Sequence, residues 1–351
     1  VKFWLNLLTD MNLFRNHTYL YTTAFLFFVG LSLVVAILPA LYNQENNAPL
    51  PGTEPLREDA LAGKHVFIAT GCVACHSQQV RNVAMDNVWG PRPNVAADYA
   101  HNTRMHWWMN TATLMGTERT GPDLTNIGTR LPSIDWHLLH LYNPRAVVEE
   151  SVMPAYPWMF KVTTHVEEGD KVVNVPIEFL HGQEGTVVAT REALQLVAYL
   201  QSLQQAPLPD GTATPAFLYK SQAPAAAVQT TTGAAPAEAV LDGAAIYAAN
   251  CQACHQTTGT GLKGAFPPLK GSAIVQNDNP EVLIDIILHG YNAREEYGEM
   301  PAIGTINHLK PEEITAIINH ERTSWGNNAR EVSVAEVKDI IAMLESKKNN
   351  P

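Results

Sequence analysis

Cysteine is scarce. The 351 residues hold 4 Cys, and all four fall in two short units, Cys72-Val73-Ala74-Cys75-His76 and Cys251-Gln252-Ala253-Cys254-His255. None remains for a structural disulfide elsewhere. Charge is scarce too, at 16% of residues, and the basic share is the smaller: 23 Lys and Arg against 34 Asp and Glu give a net charge of −11. The basic surface that nucleic acid selects is therefore lacking, which argues against a nucleic-acid partner. An acidic surface instead steers a basic protein partner at long range. Charge is missing altogether from Thr18 to Leu41, "TYLYTTAFLFFVGLSLVVAILPAL". That run exceeds the about 7–15 apolar residues of a cleaved signal. It is long enough to cross about 30 Å of hydrocarbon as a helix, and it is read as a retained anchor in a lipid bilayer.

Lys2 and Arg15 precede the run and Glu45 is the first charge after it. The positive-inside rule then predicts a cytoplasmic N-terminus, with everything after Tyr42 outside. Ahead of the span, Phe3, Trp4, Leu7, Leu8 and Met11 recur at helical spacing, which predicts an interfacial amphipathic segment over 1–17. The chain opens on Val1 rather than Met, so residues before it are expected to be missing.

The two Cys-x-x-Cys-His units admit three readings. A zinc ribbon brings its second Cys pair within about 15–20 residues, whereas these pairs lie in different halves of the chain. A thioredoxin-like dithiol needs neither the His nor the duplication. Covalent haem c attachment accounts for both: two thioethers hold the porphyrin edge and the adjacent His is forced under the iron. The expected cofactors are two covalently bound haem c groups, on Cys72 and Cys75 with His76, and on Cys251 and Cys254 with His255. In bacteria haem c is attached outside the cytoplasm, the side the charge pattern selects.

The organisation follows: a transmembrane helix at 18–42, a first haem domain at 43–204, an Ala/Pro/Thr-rich linker at 205–240 and a second haem domain at 241–351. Gly63 and Phe67 precede the first motif, and Gly243 and Tyr247 precede the second at the same offset. With "REALQLVAYLQSL" closing the first domain, this resembles class I cytochromes c, where a first-helix Gly/aromatic pair crosses an aromatic on the last helix. The predicted fold class is mainly α, one transmembrane helix followed by two such helical domains. Residues 160–190 are rich in β-branched residues broken by Glu-Gly turns, which predicts a small hairpin insert in the first.

The sixth ligand decides what each iron can do, since methionine favours electron transfer. In "GEMPAIG" Met300 is the candidate, with packing as its competing role and His289, His308 and His320 as rivals. In the first domain Met153, in "SVMPAYPW", shares the Met-Pro-Ala, and the proline stiffens the loop. Met85, Met105, Met109, Met115 and Met159 also follow His76, and His101, His106, His137 and His140 are further rivals. Each iron-bound His is expected to donate its other N–H to a carbonyl, for which "TGPDL" at Pro122 and "FPPL" at Pro267 match the Pro-x-Leu turn of class I cytochromes c. Arg119, Arg130 and Arg145 are candidates for haem propionates, each with an ordinary surface role as the alternative. Glu295, Glu296 and Glu299 near Met300 form a candidate docking edge for a basic donor, or a solvated loop.

Three blocks, "GCVACHSQQVR", "GTERTGPDLTNIGTR" and "WHLLHLYNPRAVVEESVMPAYPW", closely resemble the mono-haem subunit family (CcoO/FixO) of cbb3-type cytochrome c oxidases, in that family's order and up to about residue 204. The resemblance implies haem on Cys72 and Cys75, ligation by His76 and Met153, and a periplasmic domain on a haem–copper catalytic membrane subunit that reduces oxygen. Residues 82–116, with Trp107 and Trp108, depart from the family pattern. So does the fused C-terminal half, where "CQACH", "FPPLKGS", "GEMPAIG" and "EEITAIINHERTSWGNNA" resemble the class I cytochrome modules of oxidases and alcohol dehydrogenases, with His320 in place of their usual aromatic.

Taken together, the sequence predicts a single-pass di-haem electron-transfer subunit in the bacterial inner membrane, with no catalytic centre of its own. Electrons are expected to pass from a periplasmic cytochrome c or a cytochrome bc complex to the C-terminal haem, then to the N-terminal haem and the catalytic subunit. The competing readings are the cytochrome subunit of a nitric oxide reductase, a stand-alone di-haem peroxidase and a tethered carrier serving several partners.

Overall fold

The computed structural model describes residues 16–46, 55–99, 114–116, 118–180, 182–206, 241–294 and 296–349. Several expectations lie outside them: the interfacial segment with Lys2 and Arg15, His101, Met105, His106, Trp107, Trp108 and Met109, the linker from 207 on, and Glu295. The chain divides into two compact units, one with residues 1–56 and 95–114, the other with 57–94 and 115–351. Both Cys-x-x-Cys-His motifs fall in the second unit. Secondary structure is mainly helical, with one small sheet.

In the first unit a single helix begins at α1 (His17–Leu31), where Asn16 Oδ1 accepts from Thr18 N at 3.0 Å. It continues through a π-helical stretch, Ser32–Ile37, into α2 (Leu38–Asn46). Pro39 supplies no N–H, and its ring crowds the carbonyl four residues back, inside that stretch, which accounts for the wider winding there. Phe25, Phe27, Phe28, Val34 and Val35 are all exposed. By length and composition, His17–Tyr42 is a candidate membrane anchor.

In the second unit, α3 (Glu58–Ala69) leads into the first motif. After it come α4 (Ile127–Arg130) and α5 (Ile134–Tyr142), then β1 (Phe160–Thr163), β2 (Val172–Val173) and β3 (Thr186–Ala189), then α6 (Arg191–Ser202). The strands form an antiparallel sheet in the order β1-β3-β2, with Phe160 opposite Ala189 and Val172 opposite Val188. The insert is thus three-stranded where a hairpin was expected, because the short β2 adds to the far edge of β3. The helix α3 crosses α6 at Gly63: a Cβ there would meet Gln195 O at 1.8 Å. One turn on, Phe67 packs edge-on against Tyr199 with ring centroids 5.5 Å apart.

The second half repeats this plan. Asp242 Oδ1 accepts from Ala244 N and Ala245 N and so starts α7 (Gly243–Asn250). There follow α8 (Gln252–His255), α9 (Glu281–His289), α10 (Ile303–Ile306), α11 (Pro311–Thr323) and α12 (Val334–Asn349). A Cβ on Gly243 would meet Ala316 O of α11 at 2.1 Å. Tyr247 meets His320 with centroids 5.3 Å apart, and Trp325 packs on both rings. His320 therefore fills the ring position at this crossing. Leu283, Ile284, Ile287, Ile314, Ile318 and Val337 form the core beneath. At i, i+3, i+4 spacing, α9 and α11 present continuous apolar stripes to it.

Candidate haem-binding sites

Each motif is wound into one tight turn. His76 N donates to Cys72 O at 3.0 Å, and His255 N donates to Cys251 O at 3.0 Å. This presents both thiols and the imidazole of each motif together. All four cysteines are free thiols. Burial pushes the Cys72 and Cys251 thiols above their usual value, and Cys254 up to about 12. Nucleophilic or dithiol-redox cysteines need the opposite shift. Among the described residues, no group of three or more His, Cys, Asp or Glu side chains converges as a metal site.

The two imidazoles are fixed in the same way. His76 Nδ1 lies 2.8 Å from Pro122 O, and His255 Nδ1 lies 2.9 Å from Pro267 O. A carbonyl only accepts, so Nδ1 carries the proton in each ring and Nε2 is left with a free lone pair. Burial lowers both histidines' affinity for a second proton. The turn bearing each proline is tied back to its motif, by Gly121 N to Cys75 O and by Gly261 N to His255 O, both at 3.0 Å. Gly121 is required here: a Cβ would fall 2.3 Å from His76 Cε1.

The C-terminal motif opens onto an apolar cavity whose walls include Cys251, Cys254, His255, Phe266, Ile287 and Met300. Met300 is held by its bridge to Tyr291, each N bonding the other's carbonyl at 2.9 Å. The rivals are placed elsewhere. His289 pairs with Asp285 at 2.7 Å, His320 sits in the ring cluster, and His308 is not on this cavity's wall. Polar residues line it too, among them Arg294, Asn292 and Glu299, together with Glu321 from α11 and Arg130 from the first half. Glu321 is buried with Oε2 unpartnered, and burial pushes its carboxyl up to about 8. Arg130 Nε is likewise buried without a partner, while the guanidinium lies 5.0 Å over the Trp89 ring.

At the N-terminal motif, Thr70 Oγ1 lies 3.3 Å from Cys72 Sγ, and Tyr156 also hydrogen-bonds that thiol. Three residues before Tyr156 is the half-buried Met153, whose Sδ lies 3.1 Å from His140 Nε2. Burial, followed by the charges of His137 and His76, lowers His140 to about 3. His140 and Met153 are thus brought to one another. His137 points away and bonds Leu131 O at 2.8 Å. Met159 is packed in the core, and Met85 and Met115 are exposed.

The arginines separate. Arg119 is committed within the protein: its guanidinium donates to Ser77 Oγ at 2.7 Å, to Gln79 O and to the buried Asp86. Arg145 is exposed. Arg130 keeps donor capacity, but towards the C-terminal cavity. Sequence reading missed Asp86 and Glu321, since an isolated carboxylate in a loop or helix carries no signal of its burial. It also missed Trp136 of α5, whose Nε1 donates to Ala253 O at 3.0 Å.

Residues 11–180 match the family model described as cytochrome c oxidase, mono-heme subunit/FixO. Residues 238–320 match that of cytochrome c oxidase, cbb3-type, subunit III. Among curated proteins, cytochrome c-552 of Thermus thermophilus is 41% identical over 92 residues, 24% of this chain and 70% of that protein. The cytochrome c subunit of a quinone alcohol dehydrogenase from Gluconobacter oxydans is 36% identical over 104 residues, 28% of this chain. The fructose dehydrogenase cytochrome subunit of Gluconobacter japonicus is 37% identical over 107 residues, 29% of this chain. The chain spans 21% and 22% of the length of those two dehydrogenase subunits.

Proposed function

The chain belongs to the cytochromes c, a FixO-type mono-haem segment fused to a cbb3-type cytochrome segment, and on that premise we propose that it is the membrane-anchored di-haem electron-transfer subunit of a haem–copper oxygen reductase. The supporting observation is the duplicated arrangement of a Cys-x-x-Cys-His turn with its imidazole Nδ1–H locked on a proline carbonyl. A thioether-held haem at each turn supplies one-electron redox chemistry at iron.

In this reading Cys72, Cys75, Cys251 and Cys254 form the thioethers, and His76 and His255 ligate through Nε2. The Pro122 and Pro267 carbonyls orient these rings and raise their basicity. Met300 and Met153 would bind the irons through their thioethers, with His140 set beside Met153. The unpartnered Arg130 Nε suits a propionate of the C-terminal haem. Residues 43–204 and 241–351 act as the two haem-bearing domains and 205–240 as a tether. The helix from His17 anchors them with the haems on the periplasmic face of the bacterial inner membrane. An external one-electron donor feeds the C-terminal site, the N-terminal site follows, and the catalytic membrane subunit reduces oxygen.

Purification in mild detergent, with identification of the accompanying large subunit and its haems, tests this. A haem–copper subunit that consumes oxygen is the expected companion. Its absence, or a partner that reduces only nitric oxide, overturns the assignment.

A further inference from the structure

Helix α5 joins the two sites. Ser133 Oγ accepts from Trp136 N at 3.2 Å and starts the helix. One turn then puts Trp136 and His140 on the same face, where their rings stack 4.6 Å apart and 11° from parallel. His140 continues to Met153 Sδ at 3.1 Å. On its other side the Trp136 indole N–H donates at 3.0 Å to Ala253 O, between the two cysteines of the C-terminal motif. Next to it, Asp135 Oδ2 accepts from Glu299 N at 2.8 Å, the residue before Met300, and Lys171 Nζ holds Oδ1 at 2.7 Å. Gly298 lies so close that a Cβ would come within 2.8 Å of Asp135 Oδ2. One short helix thus grips both the Cys-x-x-Cys turn and the Met-bearing loop of the other site.

A tryptophan that only fills space buries its ring and bonds whatever acceptor is near. Trp136 instead forms a run of contacts, peptide carbonyl to indole to imidazole to thioether, from the C-terminal motif to Met153. Electron tunnelling weakens steeply across empty space and less steeply through bonded and stacked groups. We propose that the stacked Trp136–His140 pair is the bridge over which an electron crosses from the Cys251/Cys254 site to the Met153 side of the N-terminal site. This rests on the di-haem reading above. One electron leaves ferrous iron at the C-terminal site, which becomes ferric, and reduces ferric iron at the N-terminal site. No proton moves, and no bond at Trp136 or His140 forms or breaks.

The test uses the full-length holoprotein in detergent, following redistribution of an electron between the haems after pulsed photoreduction. The ferric methionine–iron charge-transfer band and both reduction potentials are recorded alongside. Trp136→Leu is expected to slow redistribution roughly tenfold or more, with potentials and band retained. Trp136→Phe, which keeps the ring and loses the N–H, stays closer to the wild-type rate. A wild-type rate in Trp136→Leu overturns the bridge. Small-angle scattering shows whether Trp136→Leu separates the two halves. If it does, His140→Leu, which leaves the Trp136–Ala253 bond in place, decides: slowed redistribution supports the bridge, and an unchanged rate overturns it. Absence of exchange in a wild-type chain carrying both haems overturns the bridge alone, whereas a motif that takes up no haem defeats the di-haem reading itself.

Discussion

Gly63 and Gln195 touch so closely that no side chain fits between them: a Cβ at 63 would lie 1.8 Å from the Gln195 carbonyl oxygen. The helix before the motif and the helix closing the domain cross there, backbone on backbone. Gly243 and Ala316 make the equivalent contact in the C-terminal half, at 2.1 Å. Gly63→Ala and Gly243→Ala must push rigid backbone rather than a flexible tip. Each is expected to cost about 1–3 kcal/mol or more. Thermal unfolding followed at each haem's own absorbance should show the loss.

Gly121→Ala tests the seating of His76. Its methyl would land 2.3 Å from the imidazole Cε1 and so tilt the ring away from the Pro122 carbonyl. The N-terminal haem spectrum should change, with a shifted potential or weakened methionine band, while the C-terminal haem keeps its own. Unchanged spectra at both haems would show that the ring is placed by something other than this turn.

Asp86 is the anchor of the loop behind the first motif. Burial alone would raise its carboxyl, yet hydrogen bonds from Arg81 and Arg119 hold it well below the usual carboxylate range. A lowered folded value stabilises above the unfolded pKa of about 3.9 and loses that contribution as pH falls towards the folded value. Arg119→Leu leaves the buried carboxylate short of a partner, at a cost of about 3–5 kcal/mol. Denaturant titration at pH 7 should show the loss, and it should shrink towards pH 3.

Glu321 behaves in the opposite sense. Burial raises its carboxyl to about 8, so the folded chain keeps a proton that the unfolded chain releases near pH 4.3. Its contribution is most favourable below that pH and declines as pH climbs to about 8. Glu321→Gln should flatten the fall in stability between pH 5 and 8 and raise the melting temperature at pH 8. A slope as steep as the wild type's would place the titrating group elsewhere.

Much of this was readable from residue spacing, because its causes are local. A Cys-x-x-Cys-His turn closes within five residues, the Gly/aromatic offset marks one helix crossing, and a Pro-x-Leu turn announces the carbonyl for His76 or His255. The uncharged run from Thr18 reads directly as a candidate span. What stayed hidden depends on distant partners. Nothing near Trp136 announces Ala253, 117 residues away, and nothing in "GTERTG" shows Arg119 already claimed by Asp86. The insert read as a hairpin because β-branched runs announce strands, whereas the two-residue β2 gains its place only by pairing with β3.

The most direct measurement is the haem content of the purified full-length chain, by pyridine haemochrome absorbance against protein. Two haem c per chain are predicted, falling to one when Cys72 and Cys75, or Cys251 and Cys254, are both replaced by serine. A chain with no haem c, or one whose count ignores the loss of either cysteine pair, would contradict the account.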